Sequence, residues 1–401
     1  MFRTAVVLAA FLLAITAGAI ADRWRWTNLP SPKSRIGCID GLRGYLALAV
    51  MFHHFVVWLG VLQGRPWEAP SNYIFQNFGQ GAVALFFMVT GALFYNKMIS
   101  DGFAKVDWRA LYISRAFRLV PLFWFVFLLV NLIIFIRQGF RFPTTWSEYA
   151  SAAAAWMLFI SMPPLGGYAD SFRIVAAAPW TLPYEWICYF TLPFAAAVLG
   201  IANRSIDRLI ILGALVSLSA YATGIWSIFG HIGRSFSFAI PFFLGMIAME
   251  IARQPLLRRL LVSPWAAIIG SGALAVEMTV FPNSFAFIPF IVLAVFFAPA
   301  VAGNSYFGLL STRASMVLGE ASYGIYLLHG IVLYIALVDA EPLMSAYGPV
   351  LFWAGLPLLV VIVVLAAIAA HELIEKPAIR AGKLLARSRF AGQRRPHVAD
   401  G

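Results

Sequence analysis

Ile39-Asp40-Gly41-Leu42-Arg43-Gly44-Tyr45-Leu46-Ala47-Leu48-Ala49-Val50-Met51-Phe52-His53-His54 sets a carboxylate, a guanidinium and two imidazoles into a run otherwise apolar enough to lie in lipid. Ionisable groups inside a membrane segment are costly to desolvate, so each is a candidate for function. At about 100° per residue, Arg43 and His54 fall eleven positions and roughly 20° apart, on one stripe and about 16 Å apart along the axis. His53 falls on a different face of the same helix.

The rest of the chain is built from the same material. Of its 401 residues, 62% are hydrophobic and only 11% charged, with a mean hydropathy of +0.84, which excludes a soluble globular domain. Apolar runs of about 20 residues, long enough to cross the hydrocarbon layer, stand near 40–62, 78–98, 112–136, 180–200, 208–229, 236–252, 264–281, 285–302, 315–338 and 348–371. A further run at 149–162 is Ala-rich and short, and charge parity decides its status. Lys97, Lys105, Arg109, Arg115 and Arg118 mark one cytoplasmic loop by the positive-inside rule, and Arg253, Arg258 and Arg259 mark another. Both loops face the same side only if 149–162 is re-entrant or interfacial. The expected fold is therefore an all-α, polytopic membrane helical bundle with about ten core transmembrane helices, an N-terminal hydrophobic helix and one short non-crossing segment.

Asp339 and Glu341 then occupy an outer loop, Arg313 and the basic tail are cytoplasmic, and Arg137, Arg141 and Arg173 are exceptions left outside. The formal charge of +12 lies in short loops and in the tail from Lys376 to Arg395, so the partner it implies is anionic lipid and not nucleic acid. Residues 4–21 form an apolar run behind Arg3. Ala19-Ile20-Ala21 before Asp22 resembles a signal cleavage site, whereas Arg23, Arg25, Lys33 and Arg35 favour a retained helix with its end in the cytoplasm. The organisation read from this is a hydrophobic helix and basic linker over 1–34, a membrane domain over 35–380 and a basic, disordered tail over 381–401. Cys38 and Cys188 form no framework spacing, and no HExxH, GxSxG or Gly-rich phosphate loop is present, so no metal is expected.

Depth sorts the polar groups inside the spans. His54 lies about 14 residues, roughly 21 Å, from the helix start at Asp40, past the midplane. Glu185, in Pro179-Trp180-Thr181-Leu182-Pro183-Tyr184-Glu185-Trp186, is about five residues into a helix entered from outside, roughly 8 Å deep. Glu185 and His54 are therefore expected to meet in the outer half, where a carboxylate raises the basicity of an imidazole and fixes its tautomer. The plainer readings are a polar histidine tying helices together and an interfacial carboxylate. Arg115 and Arg118 stand at i, i+3 on one face, suited either to forked phosphate contacts or to anchoring at the inner surface. His329, at a depth like that of His54 and seven residues after Ser322 on its stripe, is read as a structural or substrate contact ahead of a second catalytic imidazole. Gly44, Gly81 and Thr90-Gly91 read as close helix contacts. Glu375-Lys376-Pro377 reads as a local ion pair or helix terminus.

Taken in order, these residues resemble the acyltransferase 3 family of integral membrane acyltransferases over roughly residues 35 to 380. The resemblance rests on Asp-Gly-Leu-Arg-Gly with Arg-x10-His (Arg43, His54), Phe86-Phe87-Met88-Val89-Thr90-Gly91, Arg-x-x-Arg (Arg115, Arg118) and Trp180-Thr181-Leu182-Pro183-Tyr184-Glu185. It continues with Ser-Tyr-x-x-Tyr-Leu-x-His ending at His329, and with Glu-Lys-Pro at Glu375. Thr stands for Ser at 90 and 181, which keeps the hydroxyl, and the SGNH-type esterase-fold domain of some relatives is lacking.

The resemblance implies transfer of an acetyl group from cytoplasmic acetyl-CoA to a hydroxyl of an outward-facing glycan or lipid-linked sugar, in a bacterial inner membrane. It puts the coenzyme phosphates at Arg43, Arg115 and Arg118. His54, assisted by Glu185, becomes the general base or acyl carrier, with Asp40, Trp180, Tyr323 and His329 in support. The rival expectation is a transporter or flippase of a glycolipid or small solute, for which intramembrane charges also serve.

Overall fold

The computed structural model describes residues 2–24, 26, 37–141, 143–226 and 231–391, with the backbone alone at 226, 231–235 and 387–391. Helices follow one another as α1 (Phe2–Arg23), α2 (Gly37–Val61), α3 (Tyr73–Asp101), α4 (Trp108–Arg137), α5 (Trp146–Met157), α6 (Ser171–Ile174), α7 (Leu182–Gly200) and α8 (Ser205–Trp226). Then come α9 (His231–Arg253), α10 (Pro255–Leu261), α11 (Pro264–Val280), α12 (Phe287–Ala302), α13 (Arg313–Glu320), α14 (Ser322–Leu337), α15 (Glu341–Ala370) and α16 (Lys376–Ala391). Eight helices are long and apolar enough to cross a membrane, and ten if α10–α11 and α13–α14, bent by 66° and 67°, each count as one span. Over its described residues, every apolar run read as a crossing coincides with a helix or bent pair, and no β-strand is present among the described residues.

Side chains in the loops set the helix starts. Asn72 caps α3 at Phe75 N, Asp107 caps α4 at Ala110 N, and Thr145 with Glu148 forms a reciprocal capping box on α5. In the core, α2 lies between α3, α13 and α14, and most of its span is buried. Gly44 lets α2 close on α13: a Cβ there would sit 2.6 Å from Leu318 Cβ. Gly91 does the same for α3 and α9, where a Cβ would lie 2.0 Å from Phe242 O. Helices in lipid gain little from hydrophobicity against each other, so this close approach is their main source of cohesion.

Lys97, Arg109, Arg253, Arg258 and Arg313 collect at one end of the bundle, here the basic end. Asp22, at the foot of α1, accepts from Arg313 at 2.7 and 2.8 Å, so α1 runs toward that end. Arg25, Lys33 and Arg35 lie outside the described residues. At the opposite end Arg137 donates to both oxygens of Asp339, at 2.6 and 2.8 Å. The stray outer charge of Arg137 is thus neutralised by a residue expected in an outer loop, and the guanidinium holds the Asp339 carboxyl below its ordinary range. The tail is a correction: helix continues past Arg380 to Ala391 where disorder was expected, because Lys376 to Ala391 is an amphipathic basic helix packed on α4, with Gly382 against Phe117. Residues 392–401 lie outside the described residues.

The connection from α4 to α7 determines the level at which α7 begins. α5 lies beside the half of α4 away from the basic end, with Tyr149 OH donating to Asn131 Oδ1 at 2.7 Å and the Phe159 ring 4.5 Å from that of Phe123. At 12 residues it is not among the helices long and apolar enough to cross a membrane. The chain then dips inward over 163–181. Ala176 and Ala177 adopt left-handed φ of 51° and 54°, and Gly330 admits them, since a Cβ there would lie 2.3 Å from Val175 C. α7 therefore begins inside the bundle, where Thr181 and Ala178 meet Tyr326, one turn from His329, and not at the end away from the basic residues.

Candidate active site

α2 and α14 bring His54 and His329 together: His54 Nδ1 lies 3.0 Å from His329 Nε2, with ring centroids 5.0 Å apart. Backbone carbonyls assign the protons. His329 Nδ1 is 3.1 Å from Ile325 O and His54 Nδ1 is 3.1 Å from Val50 O. A carbonyl only accepts, so in the neutral rings both Nδ1 atoms carry hydrogen. His329 Nε2 and Val50 O then share the single His54 Nδ1–H as acceptors, and His54 Nε2 is left with a lone pair and no hydrogen-bond partner among the described residues. His329 is fully buried, whereas His54 is partly exposed. His53 turns away, its Nδ1 donating to Phe75 O at 2.9 Å.

The expected meeting of His54 and Glu185 does not occur. Glu185 accepts from Tyr189 OH at 3.1 Å and lines a cavity with Arg43, Lys97, Arg115 and Arg118. The cause is the inward dip before α7: a depth counted from the outer surface places Glu185 above His54, but the helix starts at the level of His329 and Glu185 lies on its basic-end side. The residue behind His54 is instead His329.

The cavity opens on the basic side of the histidines. Four cations and one carboxylate line it, and Arg43 has a further carboxylate at 3.8 Å, Asp40. Arg115 lies over the Phe94 ring at 5.0 Å, with its Nε buried and unpartnered. An excess of guanidinium groups in a water-poor setting is a site for an anion. Tyr323 lines the wall and donates to Leu119 O at 2.8 Å, fastening α14 to α4.

Tyr326 stands between cavity and histidines. It lines the cavity, and its ring is 6.2 Å from that of His329. Its single O–H is committed to Ala178 O at 2.8 Å, so Thr181, at 2.9 Å, donates to it. Trp180 is turned elsewhere, packed with Tyr184, Phe238 and Phe285. On the side of the histidines away from the cavity the Trp67 ring lies 6.4 Å from that of His54, nearly parallel. It also packs edge to face on Trp58 and Phe172.

Several buried pairings escaped sequence reasoning. Glu375 pairs with His371 at 3.1 Å, and His371 Nε2 lies 3.4 Å from Glu320, so the partner of Glu375 is not Lys376, which pairs with Glu372. The reason is a π-turn over His371–Glu375 that carries the helix onward. Glu250 is held by Arg208 and Tyr95, and Glu277 by Ser284. A lone carboxylate inside each apolar run was the available signal. Thr181, Tyr326 and Lys97 join the site, and the first two stand in motif segments already singled out.

Residues 36–372 match a family model described as "Acyltransferase domain". No curated protein and no solved structure matches the chain.

Proposed function

The chain belongs to the membrane acyltransferase family whose domain spans residues 36–372, and from that premise we propose that it moves an acetyl group from acetyl-CoA, bound from the cytoplasm at the basic end, to a hydroxyl of a glycan or lipid-linked sugar on the outer side. The observation that carries the reading is the unoccupied His54 Nε2, backed by His329 and lying beyond Tyr326 from a cavity rich in guanidinium groups. Positive-inside bias puts the basic end in the cytoplasm, and a bacterial inner membrane suits a cytoplasmic thioester and an outward glycan.

On this reading Arg43, Arg115 and Arg118 hold the phosphates of the coenzyme, with Glu185 spacing the guanidinium groups. The thioester extends past Tyr326 to the histidines, and the acceptor hydroxyl arrives from the Trp67 side. His54 Nε2 takes the hydroxyl proton while the oxygen attacks the thioester carbonyl. The C–S bond breaks, and the proton passes from His54 to the departing thiolate. His329 Nε2 accepts from His54 Nδ1–H throughout, which stabilises the imidazolium formed midway. One acetyl ester and one free thiol result.

The test is release of coenzyme A thiol by the purified full chain with acetyl-CoA and added sugar. A transporter or flippase releases none. Arg115→Ala and Arg118→Ala should each raise the KM for acetyl-CoA about tenfold or more, the worth of a charge-assisted phosphate contact, and leave the acceptor KM alone. A change confined to the acceptor KM contradicts the phosphate role.

A further inference from the structure

The bent span α13–α14 turns by 67° between Glu320 and Ser322, and the turn releases the first amides of α14. The helical ladder of α14 resumes with Ile325 N–H to Ala321 O at 2.9 Å, no side-chain hydrogen bond caps its start at Ala321, and the amides of a helix's first turn have no partner within that helix. At an exposed helix end water takes such amides; inside a bilayer something else must. Ser322 and Tyr323 line the cavity that holds Arg43, Arg115 and Arg118.

A second, independent observation points to a ligand there. Ser322 is 1% exposed, and its Oγ has no hydrogen-bond partner. Arg115 Nε, across the same cavity, is likewise buried and unpartnered. A buried hydroxyl or guanidinium N–H left unpaired carries the full desolvation penalty. The one carboxylate lining the cavity, Glu185, already accepts from Tyr189. These unpaired donors and the surplus of guanidinium groups match an anion with several acceptor oxygens. The amide end of a half-helix, its positive pole facing the cavity, favours that charge.

We propose that the start of α14 is a phosphate site, in which Ser322 Oγ–H and the leading amides of α14 hold one oxyanion against Arg115 and Arg118. It rests on the acyl-transfer reading only for the bearer of the phosphate, which is the coenzyme or a lipid headgroup. The helix break supplies what arginines alone do not: fixed donors that need no side-chain ordering to meet the oxyanion.

The experiment uses the full chain in phospholipid-free maltoside micelles, with Ser322→Ala and, as the hydroxyl-keeping control, Ser322→Thr. Inorganic pyrophosphate should raise the unfolding temperature of wild type and Ser322→Thr, with half-saturation shifted about tenfold upward in Ser322→Ala, the size of one lost charge-assisted hydrogen bond. The KM for acetyl-CoA should rise by a similar factor in Ser322→Ala, while the KM for S-acetyl-pantetheine, which has no phosphate, stays unchanged; this outcome assigns the coenzyme phosphate. If acetyl-CoA kinetics are unaltered but Ser322→Ala no longer responds to added phosphatidylglycerol, the bearer is a lipid. Pyrophosphate half-saturation equal in all three proteins overturns the site, as does an equal loss for both thioesters. Intact Ser322-dependent pyrophosphate binding without thiol release faults the acyl-transfer reading and leaves the site standing.

Discussion

Replacing His329 by leucine removes the ring behind His54 while filling a fully buried position with an apolar side chain of similar size. The effect comes down to one hydrogen bond. When His54 takes the acceptor proton it becomes an imidazolium, and its Nδ1–H donates to His329 Nε2 at 3.0 Å. A hydrogen bond to a charged group contributes about 1.5–3 kcal/mol. Since about 1.36 kcal/mol is a factor of ten in rate, kcat should fall roughly 10- to 150-fold. It should fall no further, because Val50 O still holds the His54 tautomer at 3.1 Å. His329→Gln, whose amide oxygen can accept the same proton, should stay within about threefold of wild type. The assay is thiol release at saturating acetyl-CoA and acceptor, after matching unfolding temperatures. Because the two rings act as one unit, adding His329→Leu to His54→Ala should cost nothing more. A kcat for His329→Leu within about threefold of wild type, or a loss confined to the KM for acetyl-CoA, refutes the reasoning.

Tyr326→Trp should block the way from cavity to histidines, lowering kcat more than tenfold with pyrophosphate binding intact. Tyr326→Phe removes two hydrogen bonds and should lower unfolding stability by about 1–3 kcal/mol; calorimetry and thiol release read the pair. Gly330→Ala drives a methyl into Val175 C, 2.3 Å away, and should cost about 1–3 kcal/mol of stability and displace the start of α7, which a falling kcat would report. Asp339→Asn should narrow its stability gap to wild type as pH falls. The Asp339 carboxyl is held below its ordinary range by Arg137, so its contribution is complete above the unfolded value of about 4 and is lost as pH drops through the folded one. Unfolding temperatures measured from neutral pH downward check this, and a gap that widens on acidification contradicts it.

Crossings were legible because hydrocarbon thickness imposes a length on every apolar run, and charge parity told the non-crossing segment at α5 from the rest. The Arg43–His54 stripe was legible for a similar reason: within one helix, geometry is periodic. What failed was the depth of Glu185. Depth along a helix counts from its first residue, and nothing in Pro163-Pro164 or Gly166-Gly167 says that the chain dips inward before α7 begins. That dip depends on a contact between Gly330 and Val175, 155 positions apart in the chain, which no local pattern encodes. The pairing of His54 with His329 has the same character. Equal depths on separate helices were visible, but the rotation that points two rings at each other is fixed by packing, here the close approach of α2 to α13 and α14. The tail past Arg380 failed differently: its charge spoke for disorder, while its 3.6-residue pattern of apolar positions spoke for the helix that packs on α4.

The most direct measurement is the mass of the surface glycans of cells carrying the wild-type chain, the His54→Ala variant or neither. Glycans should be heavier by one acetyl unit with the wild type alone, and His54→Ala should be indistinguishable from cells without the protein. Full acetylation by a normally inserted His54→Ala chain would contradict a catalytic imidazole at this position.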